Sequence, residues 1–100
     1  MNDYELILVI QPNADEARQE AIKQRVSDFI ASNEGEVTSV RDWGHRGLAF
    51  PVRKQASGFY VASRLRLPPK AVEELQRLLR LNEDVLRFLM VRAERVPASA

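Results

Sequence analysis

The chain contains no cysteine and a single histidine. Disulfides, thiolate metal sites and histidine metal clusters are thereby excluded, and a reducing compartment is allowed without being demonstrated. No apolar run approaches the ~20 residues that span a bilayer, and Met1-Asn2-Asp3-Tyr4-Glu5 lacks the basic region and long apolar stretch of a signal peptide. The cytoplasm is the expected location, with an organelle matrix as the alternative. An excess of charge is also missing. Fifteen Lys and Arg stand against fourteen Asp and Glu, a net +1, so composition alone gives no argument for nucleic acid and only local clustering can supply one.

What is present is the composition of one ordinary globular domain. Tyr4 to Ile10 alternates Tyr4, Leu6, Leu8 and Ile10 with Glu5, Ile7 and Val9, a strand with two largely apolar faces. Gln11-Pro12 ends it. Asn13 followed by Glu16 has the spacing of a capping box, and Ala17, Ala21, Ile22, Val26, Phe29 and Ile30 then recur at helical intervals up to the stop signal Asn33-Glu34-Gly35. Glu36 to Val52 is extended, with Val37 and Val40 out of step with a two-residue period, which predicts a bulge between them or near the glycines. Arg53 to Gly58 is expected to turn the chain, and Phe59 to Leu67 is the clearest strand. Pro68-Pro69 opens a second helix carrying Ala71, Val72, Leu75, Leu78 and Leu79, with Glu73 and Glu74 early and Arg80 late. Asn82-Glu83-Asp84 leads into a last strand, Val85 to Arg92. Residues 94–100 read as a short flexible tail after a single domain, 1–93.

Strand, helix, strand, strand, helix, strand predicts a ferredoxin-like α+β sandwich, an α/β architecture with a four-stranded antiparallel sheet and both helices on one face. Leu6, Leu8, Phe59, Val61, Leu65, Phe88 and Met90 are assigned to the helix side. Ile7, Val9, Tyr60, Ala62, Leu89 and Val91 are left on the open side, more apolar surface than water normally faces. That surface is either sheet interior, a self-contact or the seat of a partner protein.

The stretch from Trp43 to Lys54 draws most attention. It holds the only Trp, the only His, Gly44, Gly47, Pro51 and the cations Arg46, Arg53 and Lys54. Pro51 cannot donate to a ladder, which places this segment on an edge strand or at a strand end. An edge offers unpaired backbone groups to a partner. Arg41, His45, Arg46, Arg53 and Lys54 gather here, with Arg80, Arg87 and Arg92 further along. In a chain with nearly as many acids these are either solvated surface or phosphate contacts.

The pattern resembles the family of the sixth protein of the bacterial small ribosomal subunit along almost the whole chain. The resemblance rests on Tyr4-Glu5, Pro12-Asn13, Trp43-Gly44, Leu48-Ala49-Phe50-Pro51-Val52 with Lys54, Gly58 with Tyr60, and Asn82-Glu83-Asp84-Val85-Leu86-Arg87. It implies the ferredoxin-like fold and a structural role in the subunit's platform, where the protein binds 16S-type ribosomal RNA as a heterodimer with the eighteenth small-subunit protein. On that footing Arg41, His45, Arg46, Arg53, Lys54, Arg80, Arg87 and Arg92 are the expected RNA contacts. Ile7, Val9, Trp43, Leu48, Phe50, Tyr60, Leu89 and Val91 are the expected partner surface. No cofactor, metal, membrane or small-molecule substrate is implied.

Other readings of the same fold are weaker. His45 and Asp42 are expected on opposite faces of a strand with no serine or thiol nucleophile beside them, which argues against catalysis. An RNA-recognition module needs two exposed aromatics two residues apart, and Phe59 with Val61 or Tyr60 with Ala62 does not supply them. An acylphosphatase-type enzyme needs a glycine-rich phosphate loop, which Gln11-Pro12-Asn13-Ala14 is not. A protein-interaction or RNA-recognition module outside the ribosome remains the alternative.

Overall fold

The structure, a computed structural model, describes residues 1–93. The elements run β1 (Asn2–Ile10), α1 (Glu16–Ser32), β2 (Glu36–Val52), β3 (Gln55–Leu67), α2 (Pro69–Leu81) and β4 (Val85–Arg92). They form one antiparallel sheet in the order β2-β3-β1-β4, the ferredoxin-like arrangement expected, with β2 at an edge as Pro51 requires. The tail expected over residues 94–100 lies outside the described residues.

The core forms between the sheet and the helices. Leu6, Leu8 and Ile10 of β1 and Val61, Leu65 and Leu67 of β3 meet Ile22, Val26 and Ile30 of α1 and Ala71, Leu75 and Leu79 of α2. Each helix contributes residues four apart, so one stripe is buried while its charges stay in water. Fully burying a side chain such as Leu75 is worth about 1.5–3 kcal/mol relative to leaving it exposed. Phe59, Phe88 and Met90 pack against this cluster, as their strand phase predicts.

Several local expectations need correction. The helix-1 cap is Asp15, whose carboxylate accepts from the Arg18 amide at 2.8 Å, and not Asn13. Asp15 stands immediately before the first helical residue, whereas the Asn13–Glu16 spacing belongs to a turn. Ala17 and Ala21 are exposed because the buried stripe begins only at Ile22. At the C-terminus of α1 the amides of Glu34 and Gly35 donate to the carbonyls of Ala31 and Ile30, a Schellman closure. The left-handed residue there is Glu34 (φ 63°). Gly35 is needed for another reason: a Cβ on it would collide with the carbonyl of Arg66. In α2 no acid lies in the first turn, since Glu73 and Glu74 fall beyond it.

Strand β2 carries the irregularities expected from its glycines and misplaced valines. Thr38 is an extra residue between the pairs Val37–Leu65 and Ser39–Arg64, and Trp43 is another between Asp42–Val61 and Gly44–Tyr60. The first bulge returns both Val37 and Val40 to the helix side, opposite Leu65 and Ser63, which explains their three-residue spacing. The hairpin is tighter than a turn over Arg53 to Gly58. Val52 pairs with Gln55, so Arg53 and Lys54 alone make the loop, both with positive φ (49° and 66°), as a type I′ turn demands.

Candidate protein and nucleic-acid interface

The face of the sheet turned away from the helices divides into a charged half and an apolar half. Near the start of β1, Asp3 and Glu36 pair with Arg66. Toward its end, Ile7 lies between Ala62 and Leu89, and Val9 between Tyr60 and Arg87. Leu89 and Val91 are 53% and 45% exposed, while Val9 and Ala62 are already buried within the face.

The second bulge lies at its border. Gly44, whose φ of 82° favours glycine, pairs with Tyr60 after the inserted Trp43, and the indole keeps the open face that alternation from Arg41, opposite Ala62, gives it. There it stacks on Tyr60 with ring centroids 6.3 Å apart and 15° between planes. The Arg46 guanidinium lies 5.6 Å from the Trp43 ring and donates to the Trp43 carbonyl. Trp43, Tyr60, Ile7, Val9, Leu89 and Arg87 border a concavity of about 200 Å³. A second aromatic therefore joins Tyr60 on this face.

Beyond the end of β1 the β2–β3 ribbon continues as an arm. Gly58 is where it crosses β1: a Cβ there would lie 2.7 Å from Val9 Cγ1 and 2.8 Å from the Ile10 carbonyl oxygen. Further out Phe50 is 78% exposed, and Leu48 is half-buried. Arg53 Nη1 donates to the carbonyl of Glu83 at 3.4 Å, drawing the tip toward the turn before β4.

The predicted cations are thus only partly brought together. Arg41, Arg46 and Arg87 share the open face through their partners Ala62, Gly58 and Val9, and Arg53 and Lys54 form the arm tip. Arg80 lies apart on α2 beside Lys70, Glu73, Glu74 and Arg77. Arg92 is at the far end of β4, donating to Asn2 Oδ1. His45 sits opposite Phe59, its ring 5.2 Å away edge-on.

Two expectations about His45 are overturned. The Trp43 bulge resets the strand, so Asp42 and His45, opposite Val61 and Phe59, are on the same face. A serine does lie beside the histidine, with Ser57 Oγ 2.9 Å from Nε2. Asp42 is nevertheless engaged by Lys23 Nζ at 3.0 Å, and all three groups are on exposed or half-exposed surface, so no buried acid–base–nucleophile chain is formed. Burial depresses the Lys23 pKa, but its hydrogen bonds and charge pairing with Asp42 and Glu20 outweigh this and raise it above 10.5.

Behind the arm, Asp84 joins three elements. Its carboxylate accepts from Gln11 and from Arg18, including Arg18 Nε at 3.0 Å. Burial raises the Asp84 pKa, and these two partners more than reverse it, leaving it below 3.8. Among the described residues no group of three or more His, Cys, Asp or Glu is placed to hold a metal, and no helix is long and apolar enough to cross a membrane.

The fold and its open face can now be set beside known proteins. A family profile described as ribosomal protein S6 matches residues 3–92. The chain belongs to the ribosomal protein S6 family. Small ribosomal subunit protein bS6 of Clostridioides difficile is 39% identical over 91 residues, covering 91% of this chain and 98% of that protein. Its counterpart in Caldanaerobacter subterraneus subsp. tengcongensis is 33% identical over 94 residues, covering 94% and 99%. The crystal structure of 30S ribosomal protein S6 from Thermotoga maritima superposes with a TM-score of 0.85 at 26% identity, covering 92% of this chain and 87% of that one. The C-terminal domain of the MgtC protein from Mycobacterium tuberculosis shares the fold alone, at a TM-score of 0.64 and 18% identity over 98% and 94% of the two chains. S6 proteins belong to the small ribosomal subunit and are not a family of enzymes.

Proposed function

We propose that this S6-family chain is a structural constituent of cytoplasmic small ribosomal subunits, and that it divides its surface between two partners. The apolar half of the open face docks the eighteenth small-subunit protein. Arg41, Arg46 and the arm tip, Arg53 and Lys54, reach phosphates of 16S-type ribosomal RNA in the platform. The observation that carries this reading is the adjacency of the two surfaces: an uncovered apolar concavity under Trp43 and Tyr60, and beside it arginines that have no carboxylate partner among the described residues. Arg offers phosphate a planar fork and Lys a point charge, and such contacts position a protein without reading sequence.

A net charge of +1 fits a protein that binds RNA jointly with a partner, because few phosphate contacts give weak affinity that salt readily removes. The test is RNA binding by the pair carrying Arg46→Ala, Arg53→Ala and Lys54→Ala together. Affinity should fall and the salt dependence become shallower by about one power of salt concentration per lost contact. Unchanged affinity and slope would remove these residues from the RNA surface.

A further inference from the structure

The resemblance makes Arg87 an expected RNA contact, yet its surroundings differ from those of the arm cations. It faces Val9 across the β1–β4 ladder and borders the concavity whose other walls are Ile7, Trp43, Tyr60 and Leu89. A phosphate drawn into this concavity would lose water against apolar walls whose lining holds a single cation, Arg87, which is costly. An apolar side chain would lose nothing there. A cavity of ~150 Å³ accepts a benzene ring, so about 200 Å³ is the size for one aromatic or branched side chain.

The charge around the mouth limits what accompanies that side chain. Arg41, Arg46 and Arg87 carry no ion pair among the described residues, while of the acids of this face Asp3 and Glu36 are bound to Arg66 in its other half and Glu5 stands between Arg64 and Val91. A protein segment laid here leaves Arg87 desolvated unless it brings an acceptor of opposite charge.

We propose that the concavity is the anchor pocket of the protein interface, filled by one large apolar side chain of the partner, and that Arg87 pairs with a carboxylate beside that anchor and does not touch RNA. This rests on the partner reading above and specifies its chemistry. The site is a hot spot in the usual sense: a pocket with a hydrophobic filling and a charge pair closed off from water.

The experiment titrates the purified eighteenth small-subunit protein into this chain by calorimetry, with Leu89→Ala and Arg87→Glu variants whose folding is checked by circular dichroism. Both variants should bind at least tenfold more weakly. Reversing the partner's acidic residues to Lys one at a time should restore Arg87→Glu at a single position. RNA binding by pairs assembled with Arg87→Gln, at concentrations that saturate the pair, should keep the wild-type salt slope. If the wild-type chain binds the partner and neither variant changes affinity more than twofold, the pocket assignment is overturned while the partner reading stands. If Arg87→Gln spares the partner and weakens RNA binding with a shallower slope, Arg87 is an RNA contact and the proposal is wrong. If the wild-type chain does not bind that protein at all, the partner reading itself falls.

Discussion

Trp43 stacks on Tyr60 with ring centroids 6.3 Å apart, at the bulge that β2 makes between Asp42 and Gly44. The insertion leaves the indole on the open face and shifts the residues after it by one, so that Arg46, opposite Gly58, shares that face with Trp43, where strict alternation would have put His45. The bulge thereby brings the Arg46 guanidinium over the ring that walls the concavity. Trp43 is 39% exposed, so Trp43→Ala should lower partner affinity at least tenfold, measured by calorimetry, while the thermal midpoint moves little. A large loss of stability with unaltered affinity would make the ring a core plug.

Gly58 should not tolerate a side chain. The Cβ of Gly58→Ala would meet Val9 Cγ1 and the Ile10 carbonyl below 3 Å, and one of those contacts is backbone that cannot swing aside. A cost of about 1–3 kcal/mol is expected in urea denaturation.

The arm tip holds Arg53 and Lys54 at φ 49° and 66°, where Asn-Gly is the favoured pair. Replacing the two by Asn and Gly should raise stability by roughly 1 kcal/mol while weakening RNA binding by the assembled pair. A gain in stability with no loss in RNA binding would show the cations to be incidental.

Asp84 gives the acid limb of the stability curve a specific origin. Its pKa is lowered in the folded state, so its contribution is present above the ordinary value of 3.8 and is lost as pH falls through the lowered folded value. Asp84→Asn should flatten the stability loss over that acid range and loosen the join of β1, α1 and β4, seen as faster amide exchange around Gln11 and Arg18. Lys23 acts at the opposite limb: its raised pKa stabilises fully below 10.5 and the effect disappears as pH rises through the folded value.

Leu75 is wholly buried in the α2 stripe. Leu75→Ala should cost about 2–5 kcal/mol in denaturant titration.

Much of this architecture can be read from the sequence. The stripes Ile22–Val26–Ile30 and Ala71–Leu75–Leu79, the alternation of β1 and β3, and Pro51 at an edge all lead directly to the layers and strand order, because burial imposes periods of 3.6 and two. The resemblance carried by Trp43-Gly44 and Leu48 to Val52 leads to the same family that the comparisons show. What is not legible depends on single-residue insertions. A bulge reverses every face assignment after it, which is why Asp42 and His45 share a side and why Arg46 lies over the Trp43 ring. The tight turn is equally hidden, since Arg53-Lys54 lacks the residues that usually announce positive φ. The contact between His45 and Ser57 needs the register of two strands and has no local signature.

On the proposed reading this chain binds RNA as half of a pair. Platform RNA should be titrated with the chain alone, with the eighteenth small-subunit protein alone and with both, over a range of salt. Weak, salt-sensitive binding by the chain alone and tight binding with a steeper salt dependence by the two together are expected. Tight binding by the chain alone, unaffected by the partner, would contradict that reading.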